Sequence, residues 1–175
     1  KVRNDFVRLF RPFDPSGTGG QPLPVGSFFT TTQAETFYRS DRRKLFVYSG
    51  FLGYGTYYNG RRFDAYASLS YRFQPYGLVS IEADYYQIRL PEGFNNADLL
   101  LLNTRVDVSF SRNLFLTTFL QINNQTNNVN LNARLQWRFA PVSDLFLVYT
   151  DNYTSQDFSV KSRFVVLKAT YWLNL

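Results

Sequence analysis

The stretch Val129–Phe139 constrains the fold more than any other part of this chain. Its residues alternate without a break between apolar and polar side chains. Because the side chains of a β-strand point to opposite sides with a period of two, the stretch predicts a strand with one apolar and one polar side. The apolar residues are Val129, Leu131, Ala133, Leu135, Trp137 and Phe139, and the polar residues are Asn130, Asn132, Arg134, Gln136 and Arg138.

The polar side of this strand favours a transmembrane β-barrel over a soluble β-sandwich. A sandwich strand also alternates, but it rarely fills its second side with two arginines and three amides. A barrel wall in lipid places apolar side chains against hydrocarbon, polar side chains in the lumen and aromatic side chains at the membrane interface. Trp137 and Phe139 supply such an aromatic pair at one end of the strand.

The same design recurs along the chain, between connections that are short, polar or rich in proline and glycine. The predicted strands are Ser27–Arg39, Lys44–Tyr58, Phe63–Phe73, Leu78–Leu90, Asp98–Ser111, Leu114–Asn123, Val129–Phe139, Asp144–Thr150 and Val160–Leu175. Lys1–Phe10 would add a tenth, although its apolar and polar residues share faces. We therefore predict an all-β fold in one region: an antiparallel up-and-down transmembrane β-barrel, or the C-terminal part of one.

The composition fits this fold and excludes several kinds of chemistry. Aromatic residues make up 19% of the chain, yet the overall hydrophobic fraction is 45%, as expected when every second strand residue is polar. There is no run of about 18 apolar residues that could form a transmembrane helix. The net charge of +6 is spread along the chain, so nucleic-acid binding is not expected.

Cysteine and histidine are absent from the sequence. Their absence removes a disulfide framework and a Ser-His-Asp arrangement, and no zinc spacing or phosphate-binding glycine loop is present. We expect no enzyme activity and no cofactor. The N-terminus has neither an initiator methionine nor an apolar signal segment, which indicates a mature form or the later part of a longer chain.

The lengths of the connections predict an orientation, since outer-membrane barrels have short periplasmic turns and longer outer loops. If the last strand ends in the periplasm, the outer connections are Arg11–Gly26, Asn59–Arg61, Pro91–Ala97, Asn123–Asn128 and Asp151–Ser159. The inner connections are then Ser40–Arg43, Gln74–Gly77, Arg112-Asn113 and Ala140–Ser143. Four of the five outer connections are longer than any inner one, and the Asn59-Gly60 hairpin is the exception.

Charged residues on the polar sides of the strands form the candidate site. Glu82 and Asp84 share one side and could bind Ca²⁺ or act as acid and base. Buried carboxylates need partners, however, and arginines are available at similar depth, so we favour a lumen-facing polar lattice. Its members are Arg72, Glu82, Asp84, Arg105, Asp107, Arg134, Arg138 and Lys168. Within it, Arg134 and Arg138 are expected to pair with Asp107, Glu82 and Asp84.

The second half of the chain also resembles a known family. The residues that carry the resemblance are Asn103-Thr104-Arg105, Gln121-Ile122-Asn123-Asn124, Asn132-Ala133-Arg134-Leu135-Gln136-Trp137, Ser143-Asp144-Leu145-Phe146 and Lys168-Ala169-Thr170-Tyr171-Trp172. They resemble the C-terminal outer-membrane barrel of the domain of unknown function 5916 family, whose members look like an N-terminal carbohydrate-binding-like domain followed by a barrel. The resemblance brings no catalytic motif. It implies that further strands come from a missing N-terminal part or from another subunit.

Two functions from different classes follow. The first is a bacterial outer-membrane barrel, surrounded by lipid, that acts as a channel, a transport component or a membrane anchor. The second is a surface β-sandwich that binds glycans, with the tyrosine-rich stretch Lys44–Tyr58 as a stacking platform. In the barrel, five leucines should be exposed in the isolated chain: Leu100, Leu120, Leu131, Leu135 and Leu167. In the sandwich they should be buried, and Arg134 and Arg138 should be exposed.

Overall fold

The computed structural model describes residues 1–173 as ten antiparallel β-strands in one sheet. The strands are β1 (Val2–Arg8), β2 (Phe28–Arg39), β3 (Phe46–Tyr57), β4 (Gly60–Phe73), β5 (Gly77–Arg89), β6 (Ala97–Ser109), β7 (Leu114–Asn123), β8 (Asn128–Ala140), β9 (Ser143–Thr154) and β10 (Val160–Thr170). Their order in the sheet is their order in the chain. This confirms the predicted all-β, up-and-down fold and the tenth strand near the N-terminus.

β1 and β10 stand at the two ends of the strand order. In the described part of the chain, β1 pairs with β2 and β10 pairs with β9, and neither has a second ladder partner. No helix among residues 1–173 is long and apolar enough to cross a membrane.

The chain divides into two compact units. The first unit comprises residues 1–40, 49–67 and 83–100, and the second comprises residues 41–48, 68–82 and the chain from Leu101 onward. In the first unit, Ala34 lies opposite Tyr54 and Gln33 lies opposite Gly55. We call the side that bears Ala34 and Tyr54 the apolar face of this unit, and the side that bears Gln33 its polar face.

The second unit is sorted in the same way by its ladder registers. Its apolar face carries a row of register partners on β7 to β10: Leu116, Leu135, Leu147 and Leu167. Its polar face carries a row of hydrogen-bonding side chains on the same strands: Gln121, Asn130, Asn152 and Ser162. The alternation predicted for Val129–Phe139 is therefore part of a pattern that continues across neighbouring strands.

Very little apolar surface is buried. The buried apolar residues among residues 1–173 are Leu9, Leu23, Ile88, Ala97 and Val129. Of the five leucines that separate barrel from sandwich, Leu100 and Leu167 are 40% and 68% exposed, the other three are half-buried, and none is buried. Arg134 and Arg138 are exposed as well, because one sheet has no second layer on either side. A sandwich needs two packed sheets, and the described strands form one.

Several predicted boundaries are wrong. β9 continues to Thr154, so the first four residues of the predicted loop Asp151–Ser159 belong to a strand. β10 ends at Thr170, earlier than predicted; Asn174 and Leu175 lie outside the described residues. The β3–β4 turn is formed by Tyr58 and Asn59, and Gly60 is the first residue of β4. Gly60 is required there because a Cβ atom would lie 2.3 Å from the carbonyl oxygen of Arg89.

The connections also differ from the prediction. Those expected to be outer are 9–27, 58–59, 90–96, 124–127 and 155–159, and those expected to be inner are 40–45, 74–76, 110–113 and 141–142. Only 9–27 and 90–96 are longer than 40–45, so the predicted length difference holds for two outer connections rather than four. The shift arises because β3 begins later and β9 ends later than the alternation indicated.

Candidate functional site

The polar face of the first unit is organised around an ion pair between Arg62 and Asp64 on β4. Asp64 is only 5% exposed and also accepts a hydrogen bond from the side-chain amide of Gln33 at 3.0 Å. The Arg62 guanidinium lies 5.2 Å from the ring centre of Tyr57 and 5.0 Å from that of Tyr86. A buried carboxylate is costly unless it is paired, and here it is compensated on both oxygens.

A glycine on the intervening strand makes the Gln33 contact possible. Gln33 lies on β2 and Asp64 on β4, so the amide has to reach across β3. A Cβ atom on Gly53 would lie 2.8 Å from the side-chain nitrogen of Gln33. The missing side chain at Gly53 therefore provides the path for this hydrogen bond.

Next to this ion pair lies an open groove of about 270 Å³. Its walls include the rings of Phe51, Tyr66 and Tyr86 and the carboxylates of Glu35 and Asp84. Asp84, a member of the predicted lattice, is half-buried and makes no ion pair with any described residue.

In the second unit, Arg105 and Asp107 form an ion pair at 2.8 Å, two residues apart on β6. Arg138 pairs at 3.4 Å with Asp144, its direct register partner on β9, and not with Asp107 or Glu82. Register explains the difference, because Asp107 lies on β6, two strands away from β8. Asp144 also accepts a hydrogen bond from the side-chain amide of Gln136 at 2.9 Å.

The remaining lattice residues have other surroundings. Arg72 donates hydrogen bonds to the backbone carbonyls of Arg42 and Lys44, so it holds the 40–45 connection against β4. Glu82, Arg134 and Lys168 are exposed, and none of them forms an ion pair within the described residues. No group of three or more acidic residues in this part of the chain is placed to hold a metal ion.

Uncharged side chains make most of the cross-strand contacts on the polar face of the second unit. Gln121 donates to Asn103 at 3.0 Å, and Asn132 donates to Thr150 at 2.7 Å. The amide of Asn152 accepts from Asn130 and donates to Ser162 at 2.8 Å. Each contact joins neighbouring strands, so the amides predicted for Val129–Phe139 act mainly by hydrogen bonding between strands.

Sequence reasoning missed a charged cluster on the apolar face of the second unit. Asp151 is 0% exposed and lies opposite Leu131 on β8 and Arg163 on β10. One of its oxygens accepts hydrogen bonds from the hydroxyls of Tyr149 and Tyr153 and from the Arg163 guanidinium at 2.8 Å. Tyr149, Asp151 and Tyr153 have the spacing of residues on one side of a strand. The cluster was missed because the strand was predicted to end at Thr150, with a loop over Asp151–Ser159.

The long connection 9–27 is ordered by Asp14. One carboxylate oxygen accepts from the backbone and hydroxyl of Ser16 at 2.9 and 2.7 Å, and the other accepts from the amides of Gly19 and Gly20 at 2.8 Å each. Burial raises the pKa of Asp14, but the hydrogen bonds from these residues outweigh it and lower the pKa to about 2. Four donors face this carboxylate, so it caps a loop.

This geometry predicts an acid-sensitive loop. Since the folded pKa of Asp14 is about 2, below its ordinary value of 3.8, the contribution of the carboxylate is present above 3.8 and is lost as the pH falls through about 2. We expect the amide NMR signals of Gly19 and Gly20 to titrate with a midpoint near 2, and to lose that titration in Asp14→Asn. A midpoint near 3.8 would contradict the assigned hydrogen bonds.

Comparisons with known proteins give no relative for this chain: no family model, no curated protein and no solved structure matches it. The resemblance of the second half to the domain of unknown function 5916 family therefore stays a prediction. Any function assigned to the chain rests on the sequence and on the geometry of the two faces.

Proposed function

We propose that this chain forms the wall, or part of the wall, of a β-barrel in the bacterial outer membrane, with the polar faces lining the interior. The protein would act as a channel, a transport component or the membrane anchor of an attached domain. The observation that supports this proposal is the uncovered apolar face of each unit. Leu52 and Tyr54 are exposed on the apolar face of the first unit, and Leu147 and Leu167 on that of the second. Exposing apolar surface to water costs about 25 cal/mol per Å².

Strand lengths and aromatic placement support the same proposal. β2 to β10 contain 10 to 14 residues each, and a tilted transmembrane strand needs about 9–11. At one end of the apolar face of the second unit, Trp137 contacts Phe139 at 5.9 Å between ring centres and Phe139 stacks on Tyr171 at 6.5 Å. Aromatic side chains are enriched at the membrane–water interface, where amphipathic rings lie at the level of the headgroups.

The rival function, a glycan-binding sandwich, would leave the apolar face packed on a second sheet. The proposal instead places lipid there, and Trp137 is a natural reporter because it is 50% exposed on that face. In a Trp172→Phe variant, refolded into vesicles, we expect brominated lipids to quench most of the Trp137 emission and aqueous acrylamide to quench little. Strong acrylamide quenching with no effect of brominated lipid would favour a surface module.

Ionic current across planar bilayers, measured with the whole protein, separates a channel from an anchor. The polar face of the second unit carries an ion pair and amide contacts that bridge strands, such as Arg138–Asp144 and Asn132–Thr150. Side chains that bond to each other across a wall leave less room for solute than an open, water-filled lumen. A narrow interior is therefore the form of channel that we propose.

A further inference from the structure

The charged residues on the apolar face of the first unit all lie at one end of its strands. Arg8 is the last residue of β1, Arg61 the second of β4, Arg89 the last of β5 and Asp98 the second of β6. They adjoin the connections 9–27, 58–59 and 90–96. Along the rest of this face, the described strand residues of the unit are uncharged.

Contacts place these residues on the apolar face. Phe63 of β4 and Tyr85 of β5 contact each other at 6.4 Å between ring centres, and Tyr85 donates its hydroxyl to Asp98 at 2.9 Å. Arg61 donates to the hydroxyl of Tyr54, which defines this face on β3, at 3.4 Å. The four charges are thus on the same side as the exposed apolar residues.

Two of these charges compensate each other and two do not. The Nη2 atom of Arg89 donates to both oxygens of Asp98 at 2.9 Å, which makes a neutral ion pair. Arg8 lies over the ring of Phe28, 5.0 Å from its centre, and Arg61 donates a hydrogen bond to the hydroxyl of Tyr54. Both are exposed, and neither has a carboxylate partner in the described residues. This end of the apolar face therefore carries two uncompensated guanidinium groups.

The second unit, taken by itself, has the same arrangement. Asp151 and Arg163 are the charged residues on the apolar face of its described strands, and they lie near the 155–159 connection. The other end of that face carries the aromatic residues Trp137, Phe139 and Tyr171. In both units, charge on the apolar face is confined to the end that adjoins the connections predicted to be outer.

We propose that the Arg8 and Arg61 end of the apolar face binds the phosphate groups of lipids whose headgroups carry a net negative charge. This inference rests on the proposed membrane function. Arginines at the end of an apolar surface extend their charged groups to headgroup depth while their stems stay on apolar neighbours. A guanidinium matches the oxygens of a phosphate in a planar, two-bond geometry. Because Arg8 and Arg61 have no carboxylate partner, their donors are available for that contact.

The test compares insertion into vesicles of phosphatidylcholine alone with insertion into vesicles that also contain anionic phosphatidylglycerol. We expect tighter association with the anionic vesicles and a loss of this preference in Arg8→Gln/Arg61→Gln, by about fivefold per arginine at low salt. The matched control is Arg134→Gln/Lys168→Gln, which removes the same charge from exposed polar-face positions without an ion pair. The control should keep the preference.

Each other outcome has a defined meaning. An equal loss in both double variants would overturn the inference, because net charge alone would then explain the preference. Wild-type protein that inserts equally into both vesicles would also overturn it, and the proposed membrane function would stand. Failure to insert into either vesicle would reject the proposed function and the inference with it.

Discussion

Replacing Arg62 by glutamine is expected to lower the free energy of unfolding by about 3–5 kcal/mol, because it leaves the buried Asp64 carboxylate without its ion pair. The variant also loses the contacts of the guanidinium with the rings of Tyr57 and Tyr86. The hydrogen bond from Gln33 remains, but one amide cannot compensate the negative charge of Asp64, a residue that is only 5% exposed. Urea unfolding in lipid vesicles measures this loss.

The neighbouring residue is a matched control. Arg61→Gln removes the same charge one position away, from an exposed arginine whose hydrogen bond within residues 1–173 goes to the hydroxyl of Tyr54. We expect a change in unfolding free energy within about 0.5 kcal/mol, as for most surface substitutions. Similar losses in both variants would show that the Arg62–Asp64 pair does not stabilise the first unit and that the polar face is organised in another way.

How well sequence predicted the strands depended on how complete the alternation was. β7 has the predicted bounds Leu114–Asn123, and β8 extends the predicted Val129–Phe139 by one residue at each end. Over Val129–Phe139 of β8 apolar and polar residues alternate throughout, and in β7 the three leucines and Ile122 share one side. The predicted end of β9 was wrong because Asp151 is a charged residue at an apolar-face position, and such a residue indicates the end of a strand. Its charge is compensated by Arg163 from the next strand, and that contact is not local in sequence.

The candidate site shows the same limit. Arg105 and Asp107 are two residues apart, so period two placed them on one side, and the structure joins them. Arg62 and Asp64 have the same spacing, but the predicted strand began at Phe63 and did not include Arg62. Arg138 was assigned the wrong partners because pairing across strands depends on register, which brings Asp144 opposite it.

The glycines on β3 differ in how much space lies beside them, and the sequence alone does not predict this difference. Glycine inside a strand is typical of a bend or a close backbone approach, but the sequence does not show which of the two occurs at each position. Gly53 admits the side chain of Gln33, whereas Gly50 has one backbone atom at 3.6 Å from a would-be Cβ atom. At Gly55 a Cβ atom would lie 2.2 Å from the carbonyl oxygen of Thr32 and 2.7 Å from the Cα atom of Gln33. The three positions look alike in sequence and differ in which atoms of β2, β3 or β4 lie next to them.

Gly55→Ala is therefore expected to destabilise the first unit by about 3 kcal/mol, at the upper end of overpacking costs. The atoms in the way are backbone atoms of β2, and they can move only if the β2–β3 ladder opens. Gly50→Ala, five positions earlier on the same strand, meets nothing closer than ordinary van der Waals contact. It should leave stability unchanged or raise it by up to about 1 kcal/mol, since alanine restricts the unfolded chain.

Urea unfolding of the two variants in the same vesicles gives the comparison, and amide hydrogen exchange along β2 locates the damage. We expect faster exchange for the β2 residues that pair with β3, Gln33–Arg39, in Gly55→Ala and wild-type exchange in Gly50→Ala. Equal stabilities would mean that β2 and β3 lie farther apart than the structure has them. In that case the path that Gly53 gives to Gln33, and with it the second partner of Asp64, would also have to be abandoned.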